Sequence, residues 1–172
     1  RMDLETGLWV VEAARGAYVG WARNLTKLDI EAAAVPEARL PEVLRALDWW
    51  DDEAVDLAKL KLKSAKTTLP VAGKRNEWGQ VPFAPKDLLG AATVPTGFFY
   101  VAVRAPEVPR DSRDDQEGPA NAAIAPAREL LLNVTDLGVT AKLASGSGLV
   151  WVTRLSDGQP QPGAEIIVRD RG

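Results

Sequence analysis

The sequence predicts an all-β protein: an antiparallel β-sandwich with one short helix, followed by the start of a second, truncated sandwich. Three observations predict this fold class. Several short segments alternate apolar and polar residues with period two, which is typical of strands with one buried face. A single segment instead has the spacing of an amphipathic helix. A proline-rich polar stretch divides the 172 residues into a long first part and a short second part.

The polar stretch sets the predicted domain boundaries. Residues 107–127 contain few large apolar side chains and cannot form a core of their own, so we interpret them as a flexible linker. We place the complete sandwich at residues 18–106, after a lead-in over residues 1–17 that comes from a preceding domain. The partial second sandwich is placed at residues 128–172.

Alternation is clearest in three segments of the first part. Residues 17–35 predict one or two strands, and residues 97–103 predict another strand that opens at a glycine. The apolar sides of these strands are formed by Leu28, Ile30 and Ala32 and by Phe99, Val101 and Val103. Residues 59–63 alternate lysine and leucine, which predicts an edge strand whose lysines discourage pairing with another chain. Residues 8–11, within the lead-in, form a short apolar run.

One segment between these strands is predicted to be helical. Between Pro36 and Trp50, apolar residues recur at the i, i+3, i+4 and i+7 positions of a helix. These residues are Leu40, Val43, Leu44 and Leu47. Because proline is tolerated in the first turn of a helix, Pro41 predicts that the helix begins close to it. We expect two to three turns that end before Trp49.

The second part offers too few strands for a closed sandwich. Strands are predicted at residues 130–135 continuing into 137–143, at 148–155 and at 164–169, with a hairpin turn at Gly146-Ser147-Gly148. A sandwich needs about seven strands. We therefore expect an uncovered apolar face around Trp151 and Ile166, which packs on another part of the assembly or is poorly ordered.

The composition excludes several kinds of enzyme. The chain has no histidine and no cysteine, so a Ser-His-Asp triad, a Cys-His dyad, a Cys/His zinc site and a disulfide are impossible. The net charge of −3 is too balanced for a nucleic-acid-binding surface. No apolar run approaches the roughly 18 residues that a membrane span needs. Because the chain opens Arg1-Met2-Asp3, we interpret it as a piece of a longer protein.

Two acidic clusters are the candidates for a chemical site. The run from Trp49 to Glu53 places carboxylates beside indoles, which suits calcium or a sugar, although the adjacent acids favour a helix end with a solvated turn. The linker acids could bind calcium between domains, but neighbouring arginines favour an ordinary charged linker. These linker acids are Asp111, Asp114, Asp115 and Glu117. We predict no catalytic, cofactor-binding or metal-binding residue and no cofactor.

Three further features have mainly structural interpretations. Asn24-Leu25-Thr26 and Asn133-Val134-Thr135 match the N-glycosylation pattern, which is short and often occurs by chance. Ser112 and Lys66 could form a Ser-Lys pair, but nothing in their spacing indicates catalysis. Core packing is the predicted role of four dispersed tryptophans, because buried indoles contribute large apolar areas. They are Trp9, Trp21, Trp78 and Trp151.

Three pieces of the second part occur in the order of a known family. They are Val134 to Thr140 (Val-Thr-Asp-Leu-Gly-Val-Thr), Leu149 to Leu155 (Leu-Val-Trp-Val-Thr-Arg-Leu) and Asp157 to Ile166 (Asp-Gly-Gln-Pro-Gln-Pro-Gly-Ala-Glu-Ile). In this order they resemble the start of a macroglobulin domain of the bacterial α2-macroglobulin family. The first part is similar more loosely, through Ala22 to Ile30, and through Lys86 to Gly90 with Gly97 to Val103, which resemble the family's late strands.

The resemblance implies macroglobulin domains, which are immunoglobulin-like sandwiches, from the N-terminal half of such a protein. It implies a structural scaffold role in a broad-spectrum protease inhibitor, not an enzyme. In that family a protease cleaves a bait region and is trapped, in many members through a Cys-Gln thioester. Having no cysteine, this chain contains neither the thioester nor the cysteine of a lipid anchor.

The implied partners are the neighbouring domains of the parent protein and the proteases that the parent engages. Nucleic acid is not among them, and a membrane is reached only through a lipid anchor outside this chain. The implied location is the bacterial periplasm or cell envelope. The alternative is a generic immunoglobulin-like binding or adhesion module of a secreted or surface protein. A hydrolase that works through carboxylates alone is a third hypothesis.

Overall fold

Strands are the predominant regular structure in the computed structural model, which describes residues 1–47, 54–108 and 127–168. The predicted all-β fold class is confirmed. In chain order the elements are β1 (Met2–Asp3), β2 (Gly7–Glu12), β3 (Tyr18–Ala22), β4 (Lys27–Val35), α1 (Leu40–Ala46), β5 (Ser64–Pro70), β6 (Gly79–Phe83), α2 (Pro85–Leu89), β7 (Gly97–Arg104), β8 (Ala127–Thr135), β9 (Leu137–Ala144) and β10 (Ser147–Arg154). A 3-10 turn over Glu37–Arg39 leads directly into α1.

Five strands form the main sheet, in the order β2-β8-β7-β4-β5. β2 runs parallel to β8, whereas the other neighbouring strands are antiparallel. A smaller antiparallel sheet has the order β1-β3-β6. Side chains of both sheets share one apolar cluster, so the two sheets form the layers of a sandwich.

The inner face of the main sheet, which we define as the face toward the smaller sheet, supplies most of this core. Its strands contribute the predicted residues Leu28, Ile30, Ala32, Phe99, Val101 and Val103. The smaller sheet contributes Ala22, Val81 and Phe83. All of these side chains are buried, and burying a large apolar side chain stabilises a fold by roughly 1.5–3 kcal/mol.

The opposite, outer face of the main sheet is covered by α1 and by the connection of residues 54–63. Val43 of α1 and Leu57 of the connection are buried in one cluster with Tyr100 and Leu131 of the sheet. β7 and β8 are therefore covered on both faces. For this reason their sequences are almost continuously apolar instead of alternating.

The strand pairing corrects the predicted domain boundaries. Residues 128–135, assigned to the second sandwich, lie in β8, which sits inside the main sheet between β2 and β7. Residues 1–17 are not a lead-in, because β1 and β2 belong to the two sheets. The sandwich therefore extends to Thr135, and the 107–127 segment does not separate two sandwiches. An apolar strand pairs where it can be buried on both faces, whatever insertion precedes it in the chain.

The predicted helix is confirmed, with one difference in its buried side. α1 begins at Leu40, places Pro41 in its first turn and is followed by Leu47, which packs on the outer-face cluster. Val43 is fully buried, but Leu44 is 46% exposed. A helix of seven residues covers the sheet with a narrow stripe, so Leu44 falls at its margin.

The predicted strand at residues 59–63 is wrong. Residues 57–61 form a turn in which Lys61 has a positive φ of 53°. Leu60 and Leu62 still pack on the outer-face cluster, so the period-two pattern reflects burial without strand geometry. The edge strand of the main sheet begins just afterwards, as β5 at Ser64.

A second helix, α2, was not expected. Residues 86–90 resemble a late strand of the family, but Pro85–Leu89 form a helical turn with Pro85 in its first turn. Gly90 ends it with a φ of 65°, a conformation that glycine adopts without steric cost. Proline at the start and glycine after the end are the local signals for such a helix.

β9 and β10 form a two-stranded antiparallel hairpin after the sandwich, and a turn at residues 145–146 joins them, which confirms the predicted hairpin. The predicted strand at residues 164–169 is absent from its described part, because residues 164–168 have no regular structure. The chain pairs briefly with β10, through a bridge between Pro160 and Thr153, and a turn follows at residues 162–163.

Candidate functional site

The described residues contain no group of three or more Asp, Glu, His or Cys side chains arranged to hold a metal ion. Nor does any helix among them have the length and apolar character to cross a membrane. The acidic candidates at residues 49–53 and 111–117 lie outside the described residues, as does Ser112. Lys66 lies on β5, 3.6 Å from a carboxylate oxygen of Glu31. The expectation that the chain has no catalytic, cofactor or metal residue stays a prediction.

Glu129 on β8 is the one buried side chain of an acidic or basic residue among the described residues. Its Oε1 accepts a hydrogen bond from the phenol of Tyr100 and another, of 2.7 Å, from the backbone N–H of Val55. Burial, followed by the hydrogen bond to Glu129, raises the pKa of Tyr100 above its usual range, so the phenol remains a donor. The carboxylate thus ties the 54–63 connection to the main sheet.

The sequence pattern does not predict this buried pair of Glu129 and Tyr100. Glu129 directly precedes Leu130-Leu131-Leu132, and an acidic residue before an apolar run is interpreted most simply as a solvated strand end. The available signal is that Tyr100 lies within a run in which every neighbour is apolar. A buried phenol requires a hydrogen-bond partner, and that requirement alone points to a polar residue on a neighbouring strand.

Charged side chains also line an open groove on the outer face near the β5 edge. Thr68 donates to Asp29 over 2.9 Å, and Ser64 donates to Glu31 over 2.7 Å. Arg104 lines the same groove. Its Nε is buried and has no hydrogen-bond partner. These pairs join β4 to β5, and each contributes a few tenths of a kcal/mol to about 1 kcal/mol to the pairing of the strands.

The loops at one end of the sandwich are tied together by side chains. Asn24 and Asn76 both have positive φ angles, and Asn24 Oδ1 accepts the Asn76 N–H over 2.6 Å while its Nδ2 donates to Asn76 over 2.8 Å. Glu107 accepts hydrogen bonds from the hydroxyl and N–H of Thr26, which lower the pKa of Glu107. The first glycosylation pattern therefore has its Asn and Thr side chains engaged, and the second lies within β8.

The predicted core role holds for only one of the four tryptophans. Trp9 packs against the inner core, donates to the Glu5 carbonyl and lies 5.5 Å from the ring of Tyr18. Trp21, Trp78 and Trp151 are between 40% and 52% exposed. The guanidinium of Arg23 lies 5.4 Å from the Trp78 ring centre, a cation–π contact at the surface.

The hairpin carries an apolar face on which Val139 and Leu143 are exposed. Cross-strand partners share a face, and three successive pairs bear only apolar side chains or hydrogen. These pairs are Val139 with Val152, Ala141 with Val150, and Leu143 with Gly148. Trp151 and Leu149 are exposed on the other face. Trp151 and Ile166, around which an uncovered apolar face was expected, are 52% and 49% exposed, but the wholly apolar face of the hairpin is the one opposite Trp151. A two-stranded hairpin is marginal in water, so this geometry is suited to packing on further strands.

Two solved structures have a similar fold. One is native alpha-2-macroglobulin from Escherichia coli spanning domains NIE-MG1, with a TM-score of 0.55 and 15% identity, over 83% of this chain and 63% of that chain. The other spans domains MG0-NIE-MG1 of the same protein, with a TM-score of 0.51 and 15% identity, over 93% of this chain and 44% of that chain. The chain thus spans less than two thirds of either. No protein-family model and no curated protein matches it. The resemblance to the alpha-2-macroglobulin family is confirmed at the level of the fold.

Proposed function

We propose that these residues are scaffold domains of a bacterial alpha-2-macroglobulin-like protease inhibitor and take no part in catalysis. The observation that supports this most is the likeness of fold to E. coli alpha-2-macroglobulin over most of the chain. Three family motifs follow one another between Val134 and Ile166, so sequence and fold point to the same family. The parent's location would be the periplasm or cell envelope.

In this proposal the β9–β10 hairpin is the start of a second sandwich. On its apolar face Val139 and Leu143 are 67% and 83% exposed. Uncovered apolar faces mark surfaces that pack on other protein. The neighbouring domains of the parent are therefore the first partners. Proteases would meet the parent, and these residues would act by holding its domains in position.

The test uses the full parent protein and chymotrypsin. After mixing, the parent is cleaved in a segment outside residues 1–135, becomes more compact in sedimentation, and co-elutes with chymotrypsin in gel filtration. The control is chymotrypsin inactivated beforehand, which should neither compact the parent nor co-elute with it. Cleavage without compaction and without retained protease would show that the trap proposal is wrong.

The same exposed hairpin favours a second candidate, a binding or adhesion module of a surface protein. Such a module holds its ligand on a constant surface, so the parent would bind it without cleavage and without change of shape. The length of the parent and a downstream Cys-x-Glu-Gln motif also distinguish the protease trap from the adhesion module. A thioester trap needs a long parent chain and this motif. Retention of chymotrypsin by the parent would exclude the adhesion module as a sufficient account.

A further inference from the structure

One residue, Asp136, separates the last strand of the sandwich from the first strand of the hairpin. β8 ends at Thr135 and β9 begins at Leu137. Units of a chain that share no large interface ordinarily move relative to each other. Among the described side chains, none from residues 137–154 belongs to either apolar cluster of the sandwich. The backbone around Asp136 is therefore the place where the orientation of the hairpin is set.

The two carbonyl groups at this junction are bound by different units. The Thr135 carbonyl accepts the N–H of Ala13 over 3.1 Å, which extends the pairing of β2 with β8 by one residue. The Asp136 carbonyl accepts the N–H of Leu155 over 2.8 Å, which extends the pairing of β9 with β10. One peptide group thus belongs to the sandwich and the next belongs to the hairpin, and no peptide group without a partner lies between them.

The sandwich side of the junction is firmly anchored. Ala13 packs against the inner core. The turn that follows is closed by the N–H groups of Arg15 and Gly16, which both donate to the Glu12 carbonyl, over 2.9 and 3.0 Å. Thr135 itself ends a strand that lies between β2 and β7 in the main sheet. The peptide group after Thr135 is therefore fixed relative to the main sheet.

Only the φ and ψ angles of Asp136 remain free between the two peptide groups, because peptide bonds are planar. The Thr135 side chain restrains both angles, since its Oγ1 accepts the N–H of Leu137 over 3.1 Å. This bond spans Asp136 and closes a local turn of the kind that hydroxyl side chains form with the backbone two residues on. Threonine is β-branched and stiff at χ1, so the hydroxyl is itself held in place.

We infer that Thr135 and Asp136 form a rigid joint, in which the Thr135 hydroxyl is the positioning group that holds the hairpin at a fixed angle to the sandwich. β8 and β9 then act as one strand with a bend at Asp136. A displacement of the unit that contains the hairpin is transmitted through β8 into the centre of the main sheet. A protease trap and an adhesion module could both use such a joint, so it does not depend on the proposed function.

The test measures residual dipolar couplings and amide relaxation by NMR on the isotope-labelled 172-residue chain. In the native chain we expect one alignment tensor to fit the amides of the sandwich and of the hairpin together. Thr135→Val keeps the β-branched shape and removes the acceptor for the Leu137 N–H. Its hairpin order parameters should fall from about 0.85 to about 0.6 or lower, the values of rigid and flexible backbone, while those of the sandwich stay unchanged.

The hairpin amides of Thr135→Val should still fit a tensor of their own, of smaller magnitude than that of the sandwich. This result separates motion of the whole hairpin from unfolding of its strands. Asp136→Gly, which widens the φ and ψ range at the joint, is a second variant that should reduce the same couplings. A chain with two glycines inserted after Thr135 provides the reference for an uncoupled hairpin.

Thr135→Ser keeps the hydroxyl and should retain the common tensor. The matched control is Thr140→Val, which makes the same change at an exposed position of β9 and should have no effect. Dispersed amide signals of the sandwich verify that each variant is folded. The inference is overturned if the native hairpin already has smaller couplings than the sandwich, or if Thr135→Val and Asp136→Gly both keep the common tensor. It is also overturned if Thr135→Ser or Thr140→Val uncouples the hairpin as Thr135→Val does.

Discussion

Glu129 shows what a single buried carboxylate does in an otherwise apolar sheet. It accepts hydrogen bonds from Tyr100 and from the Val55 N–H, so two donors on different elements converge on one oxygen. Removing one partner of a buried polar pair leaves the other unsatisfied, which costs about 1–3 kcal/mol. The pair therefore specifies where the 54–63 connection lies on the sheet, beyond what apolar contact with Leu57 specifies.

Tyr100→Phe tests this pair at the residue level. The substitution keeps the ring and removes one of the donors to Glu129, so we expect the free energy of unfolding to fall by about 1–3 kcal/mol. Urea denaturation followed by circular dichroism measures the change. Tyr18→Phe is the control, because Tyr18 is only partly buried and should change stability less. Equal losses in the two variants would show that the Tyr100 hydroxyl has no special partner.

The raised pKa of Tyr100 also predicts how stability depends on alkaline pH. The unfolded phenol ionises near pH 10, whereas the folded phenol stays protonated to higher pH because of burial and the hydrogen bond to Glu129. Above pH 10 the unfolded state thus binds fewer protons than the folded state, and stability falls as pH rises. The contribution is complete below pH 10.

Urea denaturation between pH 9 and pH 11.5 checks this. The native chain should lose up to about 1.4 kcal/mol per pH unit more than Tyr100→Phe above pH 10. Tyr18, whose pKa is raised mainly by burial, is present in both proteins and cancels in the difference. Parallel curves for the two proteins would contradict the assigned environment of Tyr100.

At the scale of elements, α1 shows that the helical spacing of apolar residues does not by itself determine which of them are buried. The spacing places Leu40, Val43, Leu44 and Leu47 on one stripe. In the structure Val43 is fully buried and Leu44 is nearly half exposed. A short helix on a twisted sheet contacts it along a narrow line, so adjacent positions of one stripe can differ greatly in burial.

Val43→Ala and Leu44→Ala form a matched pair on this helix. Val43→Ala leaves a cavity against Tyr100 and Leu131, and we expect it to lower the free energy of unfolding by about 2 kcal/mol. Leu44→Ala should change it by no more than about 0.5 kcal/mol, since leucine and alanine are both good helix formers. Urea denaturation of both variants is the measurement, and similar losses would place both residues in the core.

The sequence predicts an element correctly when its alternation of apolar and polar residues arises only from the buried face of a strand. In β4 the alternation of Leu28, Ile30 and Ala32 follows from one buried face, and the strand lies where it was predicted. At residues 59–63 the same alternation arises in a turn, because two leucines reach the outer-face cluster from irregular backbone. Periodicity reports burial, and backbone geometry depends on tertiary contacts that it does not contain.

At the scale of the whole molecule, the position of β8 could not be predicted from local pattern. The pairing of β8 with both β2 and β7 joins residues that are more than 100 positions apart in the first case. The proline-rich stretch before it suggested a boundary, because such stretches usually connect domains. The hairpin, in contrast, was predicted from its turn and strands, but nothing local shows what covers its exposed face.

Two truncated chains test where the sandwich ends. A chain of residues 1–135 lacks the hairpin, whose side chains belong to neither buried cluster, so it should unfold cooperatively with a midpoint within a few degrees of the 172-residue chain. A chain of residues 1–126 also lacks β8. It loses Leu130, Leu131, Leu132 and Val134, all buried, and leaves β2 without its strand neighbour, so we expect it not to fold.

Thermal unfolding by circular dichroism, with dispersion of NMR amide signals as the second measurement, distinguishes the two chains. A boundary near residue 128 would instead let residues 1–126 fold as the complete sandwich and make residues 127–135 dispensable. Cooperative unfolding of the shorter chain, or failure of the longer one to fold, would therefore contradict the assignment of β8 to the first sandwich. Because β8 is central in the main sheet, its removal separates β2 from β7, and no remaining described strand can bridge that gap.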